Sequence, residues 1–247
     1  NRYSDRKYDD LLMSLPVYTP KYIDKATGYE FTRLADGVSV IPSNWENLYT
    51  IYFPKINNAL LALAKLSKFN TVNSLEYANL LVDQIYIKLE DVKCNQKISD
   101  SIGILASRSL TRLKQEGLDI ITGLSHGDLK FDHIFLFQSS LKIIDWETVS
   151  IRSLMFDTIN LVAPWISRRP ELAYGLEDFL IRSTSELLQP IELVSDLWLD
   201  EIIDTYVQVY ILERIKRVLE VSSKSYDYSR GLTRAHDLSI QFDNLRN

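Results

Sequence analysis

A single cysteine, Cys94, stands among 247 residues, so no intrachain disulfide can form. Nothing in this cysteine usage calls for an oxidising compartment, and a cytoplasmic location is the default expectation. Glycine (8) and proline (7) are scarce, and neither a repeat nor a low-complexity tract is present. No run of 18 apolar residues occurs, which argues against a membrane-spanning helix. The opening stretch NRYSDRKYDD is polar and charged, unlike a signal peptide. It starts at Asn1 instead of Met, as a piece of a longer chain would. An excess of basic charge is lacking too: the net charge is −5, which argues against a nucleic-acid partner. What remains is 46% hydrophobic and 25% charged, ordinary for a soluble globular chain with ample material for a core.

Residues 16–41 read as strands, with PVYTPKYI and YEFTRL separated by the turn-like DKATG. From about Trp45 the period becomes helical, with Ser43 or Asn44 as N-cap and Pro54 kinking or dividing the helix. Residues 74–93 read as a second helix with Leu75, Leu81, Ile85 and Leu89 near one face. Residues 99–117 read as a third, capped by Ser99 and ended by Gly117. HIFLF and LKIID flank QSS and predict a hairpin. Helical patterns return over 155–167, 171–188, 195–221 and 232–245, with Tyr206 and Tyr210 on one packed face. ISRRPE reads as a helix end with cations at the negative pole of its dipole.

Chemistry concentrates in HGDLKFDHIF, residues 126–135, and IIDWE, residues 143–147. The reading places an exposed His-Gly-Asp before one strand of the hairpin and an Asp after the other. Asp128 and Asp145 are thus anchored at strand ends where carboxylates can be aimed. Phosphoryl transfer needs one carboxylate at the acceptor hydroxyl and another holding magnesium on the nucleotide phosphates. Gly127 allows a tight turn beside Asp128. Lys130 could set a positive charge on the transferring phosphate, or be only a solvated lysine. Glu147 is a further carboxylate near Asp145. Read singly, His126 and His133 are more often ordinary satisfied histidines than site residues.

HGDLKFDHIF followed by KIIDWE resembles the catalytic and metal-binding loops of the protein-kinase-like fold. The spelling is closest to the aminoglycoside phosphotransferase and choline kinase branch, and similar to the lipopolysaccharide core sugar kinases and to lanthipeptide synthetase kinase domains. The resemblance covers about residues 15–165 in element order and is specific in the two motifs. It implies an α+β fold: a short or incomplete β-rich N-terminal lobe with hinge over residues 1–41, and a large, mainly helical C-terminal lobe over 42–247 carrying the catalytic hairpin, 126–147. It implies Asp128 as catalytic base with Lys130 beside it, Asp145 as magnesium ligand, His126 and Gly127 as loop-bracing residues, and Asp157 as a bond to the loop backbone. Tyr29, Glu30 and Phe31 would form the hinge that holds adenine.

The chain departs from that pattern in three places. His133 stands where the family has a metal-binding Asn; a neutral imidazole can join Asp145 as a metal ligand there, though it suits magnesium less well than an amide oxygen, and Asp132 beside it could serve as a substitute oxygen ligand. No Gly-rich loop or strand lysine precedes PVYTPKYI, so the nucleotide site would need residues from a longer chain or from a partner chain. The helices after residue 170 match no motif. The resulting expectation is a phosphotransferase dependent on ATP and Mg2+, acting on a hydroxyl of a saccharide, another small molecule or a peptide. The alternative is a kinase-like scaffold or partner subunit without catalysis.

Overall fold

The computed structural model describes residues 8–18, 21–23, 30–32, 38–92, 96–116, 118–137, 140–189 and 199–222. A short helix α1 (Asp9–Leu12) comes first, followed by β1 (Lys21–Ile23), β2 (Glu30–Thr32) and β3 (Val38–Ser39). Strands β1 and β2 form an antiparallel pair, in which Glu30 faces Ile23 and Phe31 faces Tyr22. Tyr29 lies outside the described residues, as do Cys94, Gly117 and the helix expected over 232–245.

The predicted helix from Trp45 is divided. α2 (Trp45–Asn47) passes into a π-helical turn, Leu48–Tyr52, and then α3 (Phe53–Lys65). Asn44 caps the start, accepting from the Asn47 N–H at 2.8 Å. Pro54 lies in the first turn of α3, where its missing N–H costs no helical bond. After β4 (Asn70–Asn73) come α4 (Ser74–Val92) and α5 (Gln96–Glu116). Helix α5 starts three residues ahead of the expected Ser99 cap. Its first turn is held instead by side-chain bonds one turn apart, Gln96 to Asp100 at 2.8 Å and Ser101 to the Lys97 carbonyl at 2.9 Å.

Four further strands matter for the site. β5 (Asp119–Ser125) precedes the His-Gly-Asp turn, β6 (Ile134–Phe137) and β7 (Ser140–Ile143) form the expected hairpin, and β8 (Ser150–Ser153) follows it. One sheet runs β3-β6-β7 and another β4-β5-β8, all antiparallel. The sequence reading missed β4, β5 and β8. β5 is a short apolar run whose period does not separate strand from helix, and NTVN and SIRS become strands only by pairing with it.

α6 (Phe156–Arg168) comes next, then a 3-10 segment, Pro170–Gly175, α7 (Leu176–Leu188) and α8 (Leu199–Ser222). The single helix expected over 171–188 is thus two pieces. Arg169 lies just past α6, bonding the Ser43 carbonyl at 2.7 Å and Glu171 at 3.0 Å. Trp45, Trp165, Phe53 and Phe179 form an aromatic cluster with ring centroids 4.9–5.2 Å apart, joining α2 and α3 to α6 and α7. Among the described residues no helix is long and apolar enough to cross a membrane.

Helix α8 is buried on every side over 203–215, the pattern of a helix at the centre of a core. Tyr206 accepts from the Ile121 N–H of β5 at 2.9 Å. Glu213 accepts from the Ser153 N–H at 2.7 Å, the Ser153 hydroxyl at 2.6 Å and the Tyr77 hydroxyl at 2.8 Å. Burial pushes the Glu213 carboxyl above the ordinary range, with the Ser153 and Tyr77 bonds opposing. Helix α8 thereby clamps β5, which leads into the His-Gly-Asp turn, and its sheet neighbour β8. Replacing Glu213 with Ala leaves the buried Ser153 N–H unpaired and is expected to destabilise the fold by about 1–3 kcal/mol, readable as a lower urea midpoint at unchanged m-value.

Candidate active site

Strand β5 lies between β4 and β8 and ends at Ser125 opposite Ser150. The chain then turns at Gly127, whose φ of +85° lies in the left-handed region. A side chain there would also strike the Thr148 carbonyl and the Arg152 guanidinium. One buried carboxylate secures this turn: Asp157 accepts from the His126 N–H at 2.6 Å and the Gly127 N–H at 2.9 Å. The Thr148 hydroxyl donates to the His126 carbonyl at 2.7 Å.

His126 is fully buried, not exposed as the sequence reading had it. Burial lowers its pKa, so the ring is neutral. Nε2 donates to the Ile144 carbonyl at 2.9 Å, and Nδ1 faces the Asp128 N–H at 3.4 Å. Its ring packs 4.7 Å from Trp146. The histidine thus spans the two motifs, one nitrogen on each loop. A second link joins them, since the Ile144 N–H donates to the His133 carbonyl at 3.0 Å.

Asp128 lies three residues past β5, partly exposed. Lys130 Nζ donates to its Oδ2 at 2.7 Å, and Arg214 Nη1 of α8 stands 3.7 Å from Oδ1. Burial alone would raise this carboxyl. The bond and charge of Lys130, followed by Arg214 and Arg217, outweigh burial and hold it below the usual carboxylate range. The Leu129 carbonyl accepts from Asn160 at 2.9 Å, and Asn160 accepts from Tyr210 at 3.2 Å, so α6 and α8 both brace the loop.

A 3-10 turn, Phe131–His133, then leads into β6. His133 Nε2 lies 3.6 Å from Asp145 Oδ2, and its buried Nδ1 has no hydrogen-bond partner. Asp145, two residues past β7, has φ +66°, a left-handed backbone that Asp tolerates better than most residues and that is commonest at functional sites. Asp128, His133 and Asp145 each present a ligand atom, all within 4.8 Å of one another. Asp132 and Glu147 are exposed and do not belong to this group.

No protein-family model matches the sequence, and no curated protein does. Solved structures do match. An ethanolamine kinase from Plasmodium vivax superimposes with a TM-score of 0.60 at 17% identity, covering 97% of this chain and 73% of the other. The choline kinase LicA from Streptococcus pneumoniae gives 0.55 at 19% identity, covering 96% and 79%. An aminoglycoside phosphotransferase solved with ADP and hygromycin B gives 0.55 at 13% identity, covering 95% and 80%. The chain shares the kinase-like fold of these solved structures.

Within this kinase-like fold, the sequence reading missed the cations that face Asp128 from α8. Arg214 and Arg217 lie one turn apart, and both continue the buried face of Tyr206 and Tyr210. Their signal was present: arginines at positions where the helical period demands apolar side chains. Which loop that face would meet, 86 to 90 residues earlier in the chain, was not written in the period. Arg152 of β8 was missed as well; it bonds the Thr148 carbonyl at 3.0 Å and lies 4.9 Å over the Phe156 ring.

Proposed function

We propose that this chain is a phosphotransferase that moves the terminal phosphoryl group of ATP onto an acceptor hydroxyl. The reading is carried by the convergence of Asp128, His133 and Asp145 within 4.8 Å in two loops tied together through His126. Asp128 orients the acceptor hydroxyl and takes its proton as the new P–O bond forms and the bond to ADP breaks. It is ionised near neutral pH, as a proton acceptor must be. Lys130, half-exposed and within reach of Asp128, balances charge on the phosphoryl group in transit.

Two carboxylates and an imidazole with an unpartnered buried nitrogen fit a divalent cation. Asp145 and His133 are the residues that would hold magnesium, with Asp128 at its edge. Bound there, the ion would offset nucleotide phosphate charge. Residues 29–31 remain the proposed adenine hinge; Glu30 and Phe31 lie in β2.

Calorimetric titration with ATP in the presence and absence of magnesium tests this reading. Magnesium-dependent binding is expected in the native chain. In Asp145→Ala it should weaken by about tenfold or more, since a charged ligand is lost, with the fold intact by circular dichroism. Binding that ignores both magnesium and the substitution would overturn the assignment and leave a kinase-like protein without catalysis.

A further inference from the structure

The side of Asp128 that faces α8 carries more positive charge than one carboxylate requires. Arg214 is only 9% exposed, yet among the described residues its sole ion pair is Asp128 at 3.7 Å, beyond hydrogen-bond reach. No hydrogen bond to its guanidinium is formed among the described residues. A guanidinium has five N–H donors, and a largely buried one normally spends them on acceptors. Arg217, one turn on, makes a single bond, from Nε to the Gly127 carbonyl at 3.4 Å. Lys130 adds a third cation on the other oxygen of Asp128. The described acids beside them on α8 do not balance these. Glu213 is occupied by Ser153 and Tyr77, and Glu220, which faces Arg217, lies 3.7 Å from Lys216. Arg152 adds further positive charge beside Arg217.

Resting on the phosphotransferase reading, we infer that the acceptor carries an anionic group, phosphate or carboxylate, which Arg214 and Arg217 bind while its hydroxyl meets Asp128. Guanidinium forks suit such groups through paired, charge-assisted bonds. The terminal phosphate of the nucleotide offers the same chemistry. However, Lys130 and Arg214 approach different oxygens of Asp128, and Lys130 already serves the phosphoryl group in transit, so the arginines are left for a second anion. Glycerol 3-phosphate, which joins a hydroxyl to a phosphate, is a suitable probe. An acceptor with a fixed positive charge is repelled from this face.

The test is calorimetry on the native chain with magnesium and a non-hydrolysable ATP analogue, titrated with glycerol 3-phosphate, inorganic phosphate, glycerol and choline. Glycerol 3-phosphate is expected to bind at least about tenfold more tightly than glycerol or choline, in line with the strength of charged hydrogen bonds. Arg214→Gln and Arg217→Gln should each weaken it about tenfold or more and leave affinity for the ATP analogue within about threefold. Arg217 is the less buried of the two, so its variant keeps the test usable where Arg214→Gln disturbs folding. Equal or tighter binding of choline would overturn the inference. So would arginine variants that lose the ATP analogue instead, or a native chain that binds neither phosphate probe. Arginine-dependent phosphate binding in a chain that binds no magnesium-nucleotide would retain the anion site and remove the phosphotransferase reading.

Discussion

Asp128→Asn is expected to lower turnover by about 10²-fold or more, the range for loss of a general base, with little change in affinity for magnesium-ATP. The amide keeps the shape of the carboxylate but cannot take the acceptor proton. Binding energy is spared because the substitution leaves His126, Asp157 and the backbone of the turn in place. Single-turnover kinetics and calorimetry on the variant separate the two effects, and near-native turnover would remove Asp128 from the chemistry. The substitution also alters the acid limb of stability. Because Asp128 titrates below its unfolded value, its pairing with Lys130 and Arg214 stabilises the fold above the ordinary carboxylate pKa. That contribution is lost as pH falls through the depressed value. The variant lacks this part of the pH dependence, so its melting temperature should change less than the native one on acidification.

Gly127→Ala is expected to be the most damaging single methyl group in the loop. The residue sits at φ +85°, and its new Cβ would strike both the Thr148 carbonyl and the Arg152 guanidinium. Left-handed backbone costs an alanine about 1–2 kcal/mol before any clash is counted. The arginine can swing away only by giving up its bond to Thr148 and its place over Phe156. The backbone carbonyl cannot move without disturbing the strand that follows. A total of about 3 kcal/mol or more follows, which for a chain of this size lowers the melting temperature by roughly 6–12 °C. Turnover should fall as well, because Asp128 is the next residue. A variant with native melting temperature and native turnover would show that the turn is not held as described.

The sequence by itself determined the motif chemistry and much of the element order. His126, Gly127, Asp128 and Asp145 stand out because few constraints other than a site place such residues around a short hairpin. The amphipathic periods of α4 and α6 and the apolar runs of β6 and β7 are local signals, set by neighbours within a few residues, and they placed those elements to within two residues. Tertiary structure decided what depends on distant partners. β5 became a strand by pairing with β4 and β8, and with it the His-Gly-Asp turn became the end of a sheet strand, its histidine buried between two loops. The same holds for the helix after residue 199. Its period says only that it is buried; that Glu213 grips β8 and that Arg214 and Arg217 reach Asp128 follows from how α8 crosses the sheet, a contact between residues some 85–90 positions apart. Burial against distant strands, unlike helical period, leaves no trace in the spacing of nearby residues.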